Sequence, residues 1–215
     1  MMKSFKMLML ALLFGILIVA IILTFMAFGA LHPAPWILLA IGIAIPVINN
    51  QLEARSYVKW QDAYNVGVDV IDEDHKKLMN LINGLKMAVR YHTGEHFEKQ
   101  AMDELAEWTQ THFSREERLM QRHGYPGYEA HKKQHDAMLA RVAGYAKDYN
   151  ERGHDAIVDL APVVKDWLVN HIYKVDQEYA AFLQEKGLLN NEEIRKCCSE
   201  CEAQADAESK PAKES

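Results

Sequence analysis

Seven side chains in this 215-residue chain are of metal-binding type and are spaced to act together. His112 and Glu116 lie four residues apart, and so do His131 and His135. On a helix such pairs share one face, so each would present two donor atoms side by side. Gly124-Tyr125-Pro126-Gly127 breaks the chain between them and would fold the second helix back on the first. His75 and His171 fall on the apolar seams of two further segments, and Asp176, five residues beyond His171, is near enough in rotation to lean inward. A single histidine on an apolar face is ordinarily a core residue satisfied by a nearby carbonyl. Five on the inward faces of four helices are a different matter, because neutral rings would need many internal partners and protonated rings would repel. A metal removes both problems: each imidazole gives a lone pair to the cation, and its other N–H needs only one acceptor. Five nitrogens with two carboxylates are too many for one tetrahedral zinc. They suit two ions of iron or another first-row metal held in the middle of a bundle.

The elements that must position these groups show in the apolar periodicity. His75, Leu78, Ile82, Leu85 and Val89 recur at three- and four-residue steps, with Asp72 as expected N-cap and Thr93-Gly94 as the stop. Ala101, Leu105, Trp108, His112 and Leu119 keep that step, with Glu116 on the same face. Tyr128, His131, His135, Met138, Val142, Tyr145 and Tyr149 form the third seam, which Gly153 ends. Ile157, Leu160, Val164, Trp167, His171, Val175 and Phe182 form the fourth, ending before Gly187, and Pro162 must either sit in its first turn or kink it. Short Gly/Pro-containing connections make neighbours antiparallel, so the expected class is all-α, an up-down-up-down four-helix bundle over 72–187. Trp108 and Trp167 each precede a ligand histidine by four residues and are expected to stack beside the site, while Leu78 and Met120 would help keep it dry. Ordinary core packing is the primary role of all four.

Residues 51–71 alternate apolar and polar positions (Trp60, Tyr64, Val66, Val68, Val70), a strand-like period in a chain with no other strand candidate. An extended arm across the helical body is the expectation. From 188 to 215 the chain is polar, a mostly disordered tail with a loose helix over 192–201. Cys197, Cys198 and Cys201 all lie in it, which leaves no disulfide for the main domain and fits a reducing compartment. A thiol switch there is a weak reading. His32, His92, His96, His123 and His154 fall in loops or near helix ends and read as surface or capping residues. Glu151-Arg152-Gly153-His154 has the Glu-x-x-His spacing of ferritin-like oxidases but spans a helix break, and Glu117 points off the seam toward solvent.

Residues 1–50 are of another kind. Met7 to Ala30 is uncharged and apolar apart from Thr24, long enough to cross a bilayer. A second uncharged run, Trp36 to Ile48, is short for a span and contains Pro46. Lys3 and Lys6 precede the first run, Arg55 and Lys59 follow the second, and the connection is uncharged. The positive-inside rule then puts both ends in the cytoplasm, giving an inner-membrane helical hairpin with a cytoplasm-facing bundle. A cleaved signal peptide is the competing reading, disfavoured by the length of the run and by the second run behind it. The net charge of −6 hides an asymmetry: the first fifty residues hold only two lysines, so the remainder carries −8. An acidic domain without basic clusters excludes nucleic acid as a partner.

Val66-Gly-Val-Asp-Val-Ile-Asp-Glu-Asp-His75, then His112-Phe-Ser-Arg-Glu-Glu-Arg-Leu-Met120, His131-Lys-Lys-Gln-His135 and Trp167-Leu-Val-Asn-His-Ile-Tyr-Lys-Val-Asp176, resemble the motifs of the hemerythrins, bacterial ones in particular. The resemblance covers roughly 60–186. It implies a non-heme di-iron centre, with one iron on His131, His135 and His171 and the other on His75 and His112. Glu116, Asp176 and an oxo or hydroxo group would bridge them, leaving the second iron a vacant position. The implied function is reversible dioxygen binding, for storage or for delivery to a membrane oxygen-consuming enzyme, with Leu78, Trp108, Met120 and Trp167 around the oxygen. An oxygen or redox sensor acting through the anchor or tail is the alternative. An enzyme, such as a di-iron peroxidase or nitric oxide reductase, fits less well, because oxygen activation usually calls for more carboxylates and fewer histidines.

Overall fold

A computed structural model describes residues 2–91, 93–192 and 194–196. The three cysteines, His92 and the end of the tail lie outside these. Every regular element among the described residues is helical, and the chain divides into two compact units, 1–57 and 58–215.

The first unit is a pair of apolar helices, α1 (Met2–Phe28) and α2 (Pro33–Ser56). Gly29 ends α1 at φ +72°, a conformation that glycine adopts without strain. α2 opens on Pro33, whose missing N–H is harmless in a first turn. The ring of His32 caps it, with Nδ1 accepting from the Ala34 N–H at 3.2 Å. The helices run antiparallel: Phe25 meets Trp36 edge-on at 5.4 Å, and Gly42 faces Leu17 further along. An uncharged stretch of 18 residues (11–28) lies in α1 and one of 20 residues (33–52) in α2. Both helices are long and apolar enough to cross a membrane.

In the second unit, α3 (Asp69–Tyr91), α4 (Glu95–Arg122), α5 (Tyr128–Arg152) and α6 (His154–His171) follow one another with short breaks. α6 runs through a five-residue π turn (Ile172–Asp176) into α7 (Gln177–Glu185), which together make the fourth rod. α3 and α5 each pack on α4 and α6, so the rods form the square of an up-down-up-down bundle. Gly153, at φ +54°, permits the abrupt reversal between α5 and α6. Pro162 lies inside α6 rather than in its first turn.

Three expectations change. α2 continues to Ser56 and α3 starts at Asp69, so the arm is shorter than 51–71. Within it Tyr64, Val66 and Val68 are buried in alternation around a single 3₁₀ turn (Asp62–Tyr64), because the pattern serves a wall of helices and no sheet. Asp72 does not precede its helix as a cap; from the first turn it accepts the Val66 N–H at 2.9 Å and ties the arm down. The tail does not leave the fold at 188. Residues 190–192 and 194–196 return to it, with Ile194 buried among Val66, Ile71, Leu119 and Leu183.

The bundle interior is layered. One apolar cluster runs from Leu78, Phe113, Met138 and Leu168 away along the rods. A smaller one, with Ile71, Met120, Tyr179 and Leu183, closes the other end. On every rod the buried residues between the two clusters are polar.

Candidate metal centre

That polar layer holds His75 from α3, His112 and Glu116 from α4, His131 and His135 from α5, His171 at the end of α6 and Asp176 at the end of the π turn. All seven are buried. The four-residue steps act as expected, putting both members of each α4 and α5 pair on the inner face. Asp176 arrives by another route. A regular helix would turn residue 176 away from 171, but the π turn adds one residue to the step and restores the face. The same added residue shifts the seam beyond it: Ile172, Asp176, Tyr179 and Leu183 are buried, while Val175 and Phe182, expected from a constant period, are only half-buried.

The Nε2 atoms of His131, His135 and His171 form a triangle with sides of 3.0, 3.1 and 3.2 Å. Nitrogens about 2.1 Å from one ion stand roughly 3.0 Å apart at right angles and roughly 3.4 Å apart at the tetrahedral angle. The triangle therefore fits one face of a six-coordinate ion. His75 and His112 form a second group, ring centroids 4.7 Å apart. Both carboxylates reach both groups. Glu116 Oε2 lies 3.3 Å from His135 Nε2, 3.5 Å from His131 Nε2 and 3.7 Å from His112 Nε2. Asp176 places Oδ1 3.2 Å from His171 Nε2 and Oδ2 3.3 Å from His75 Nε2.

The charge balance calls for cations. Both ring nitrogens of His75 and of His112, both oxygens of Glu116 and both of Asp176 are buried without a hydrogen-bond partner, a cost few folds sustain. Burial pushes the His75 imidazolium down and that of His171 down to about 2. Burial also opposes charge on His135, but Glu116 and Glu117 outweigh it and raise that ring to about 9. Burial and the neighbouring Glu116 carboxylate push Asp176 up to about 8. Against burial, His112, His131 and His135 hold Glu116 well below the usual range. Two divalent ions would take up the forward ring nitrogens and the carboxylate oxygens at once, leaving each ring's rear N–H to a separate acceptor, and the donor set suits iron.

Around the layer, Trp167 stacks on His171 (4.2 Å, 16°), and Leu78 and Met120 are fully buried in the two flanking clusters. The Trp108 indole packs instead under the Lys77 ammonium, 3.2 Å from the ring centroid. Several neighbours were not evident from the chain. Phe113 lies flat on His135 at 3.7 Å, and the buried Tyr179 ring stands 5.8 Å from His131. Glu117, expected in solvent, bonds His135 Nδ1 at 3.0 Å and lies 3.6 Å from Lys132. The only signal for Glu117 was its place beside a ligand, since its partner comes from the next rod. His154, off the site, pairs with buried Glu98 at the far end of the bundle.

The profile of the "Hemerythrin HHE cation binding domain" family matches residues 66–183, more than half of the chain and a span that contains the polar layer. The chain belongs to the hemerythrin family. The hemerythrin domain is 38% identical over 125 residues to a bacteriohemerythrin of Stenotrophomonas maltophilia, covering 56% of this chain and 78% of that one. It is 33% identical over 125 residues to a bacteriohemerythrin of Methylococcus capsulatus (58% and 95% covered). With the myohemerythrin of Sipunculus nudus it shares 30% over 120 residues (56% and 88%). The crystal structure of a wild-type hemerythrin superposes with a TM-score of 0.53 at 29% identity, covering 59% of this chain and 97% of that one. Hemerythrins bind a di-iron centre and dioxygen, and the buried histidine–carboxylate layer is where this chain has the donors for it.

Proposed function

We infer that this protein is a membrane-tethered hemerythrin that binds dioxygen reversibly, for storage or for release to an oxygen-consuming enzyme in the same membrane. The observation that carries the reading is the unequal donor set: three histidines on one side of the shared carboxylates, two on the other. His131, His135 and His171 would hold one iron and His75 with His112 the other, Glu116 and Asp176 spanning both. When bound, a ferrous pair supplies the electrons for reversible dioxygen binding. The chain's own part is to leave the two-histidine position short of donors and to exclude water from it. Leu78, Met120 and Trp167 serve as walls. Apolar walls on both sides of the layer favour retention of ligand over turnover, and five histidines to two carboxylates favour binding over oxidation. Oxygen titration of anaerobically reduced protein should give a visible charge-transfer band that disappears on deoxygenation. A band that never reverses would defeat the reading.

Tethering rests on the two apolar helices and on the basic residues Lys3, Lys6, Arg55 and Lys59 that flank their apolar runs. The bundle would face the cytoplasm from the inner membrane. Alkaline carbonate extraction of membranes should leave the full chain in the pellet and release a chain starting at residue 58. One observation favours a sensing role as well: Ile194 docks on the cluster that contains Met120 and Tyr179. Removing 190–215 should abolish a downstream response in a sensor while oxygen binding persists.

A further inference from the structure

The two metal positions differ in what stands behind their histidines. Behind His135, on the three-histidine side, is Glu117, partly open to solvent and close to Lys132. Behind His112, on the two-histidine side, is Asp74, buried at the α3–α4 contact. Its Oδ2 faces His112 Nδ1 at 3.6 Å and is held by the guanidinium of Arg115. The ring thus has Nδ1 toward Asp74 and Nε2 toward Glu116, at 3.7 Å, in the metal layer. Arg115 is itself buried, with its guanidinium carbon 6.0 Å from the centroid of Trp108.

We propose that Asp74, fixed by Arg115, is the positioning residue of the two-histidine metal site. A carboxylate behind a ligand imidazole selects the tautomer with the proton on the rear nitrogen and fixes the ring's rotation, so the forward lone pair points at the ion. Here the carboxylate is neutralised by a guanidinium, so the pair orients the ring without adding a full negative charge beside the site. That matters more on this side than on the other. A site with two histidines loses half its nitrogen donors if one ring turns, and a vacant coordination position leaves no spare protein donor to compensate. The placement also explains a buried ion pair at a helix contact that hydrophobic side chains could fill at no loss of stability.

The assignment rests on the di-iron reading, and the test separates the two. Full-length wild type, Asp74→Asn, Arg115→Met and the double variant Asp74→Asn/Arg115→Met are titrated anaerobically with ferrous ion against a competing chelator. Thermal melts of the metal-free proteins are recorded alongside. Asp74→Asn should weaken the second ion about 10- to 100-fold and leave the first unchanged. Arg115→Met strands the buried Asp74 charge and should melt early; the double variant removes that charge, so its melting temperature should recover while its second ion stays weak. Wild-type affinity for the second ion in Asp74→Asn, its return in the double variant, or equal weakening of both ions would overturn the proposal. Wild type that takes up two ions yet shows no reversible oxygen band sinks oxygen binding and leaves the comparison standing. Wild type holding fewer than two ions sinks both.

Discussion

His171 and Asp176 stand five residues apart, yet Nε2 of one and Oδ1 of the other lie 3.2 Å apart in the same buried layer. The π turn Ile172–Asp176 makes this possible, and it sets a clear expectation about chain length. Deleting Lys174 leaves a four-residue step, which a regular helix also keeps on one face. Both metals and the register of α7 should survive, by ferrous stoichiometry and thermal melting. Inserting one alanine after Ile172 carries Asp176 roughly 100° further round, and one metal should be lost. Two bound ions in the insertion variant would contradict this account of the turn.

Glu117 is within hydrogen-bond distance of His135 Nδ1 and should hold that ring in place for the three-histidine position. Glu117→Gln keeps the shape and removes the charge. The first ferrous ion should weaken about 10- to 100-fold, the mirror image of the effect expected at Asp74. Chelator competition reads the difference.

The metal-free protein should be most stable near pH 6.5. His135, raised to about 9, contributes stability that is complete below its ordinary value of 6.5 and is lost as pH rises through 9. Asp176, raised to about 8, likewise loses its contribution as pH rises through that value. His171 and His75, both lowered, contribute above 6.5 and lose their share as pH falls. On the acid side two histidines outweigh one carboxylate, so stability declines there too. Metal keeps the rings neutral and the carboxylates ionised, so the loaded protein should lack the alkaline decline. Melts with and without chelator across about pH 5 to 9 decide it.

His154 pairs with buried Glu98 at the end of the bundle away from the metal layer. His154→Ala should cost about 1–3 kcal/mol, the penalty of a buried carboxylate losing a partner. Iron content and oxygen binding should stay as in wild type. A change in either would mean that the two ends of the bundle are coupled.

Much of the centre was legible because helices convert spacing into direction. His112 with Glu116, and His131 with His135, declare a shared face by a four-residue step, and a seam of Leu, Ile and Val says which face is inside. Period arguments stop where the period changes. The π turn lies in a run, Ile172-Tyr173-Lys174-Val175, with no glycine or proline to mark it, so the seam beyond it is displaced by one. Contacts between rods were equally hidden. Glu117 with His135, Asp74 with Arg115 and Phe113 on His135 join residues on different helices, and no spacing along one helix encodes them. Ile194 escaped notice because one apolar residue in a polar tail has no period at all.

Asn191 accepts from the Asp69 N–H at 3.0 Å and donates to the Gly67 carbonyl at 3.4 Å. This amide fastens the incoming segment of the hemerythrin domain to its outgoing one. Fraying at one extremity therefore loosens the other, and the two should open as a single cooperative step. Tension on the outgoing end would reach this clasp before the metal layer is disturbed.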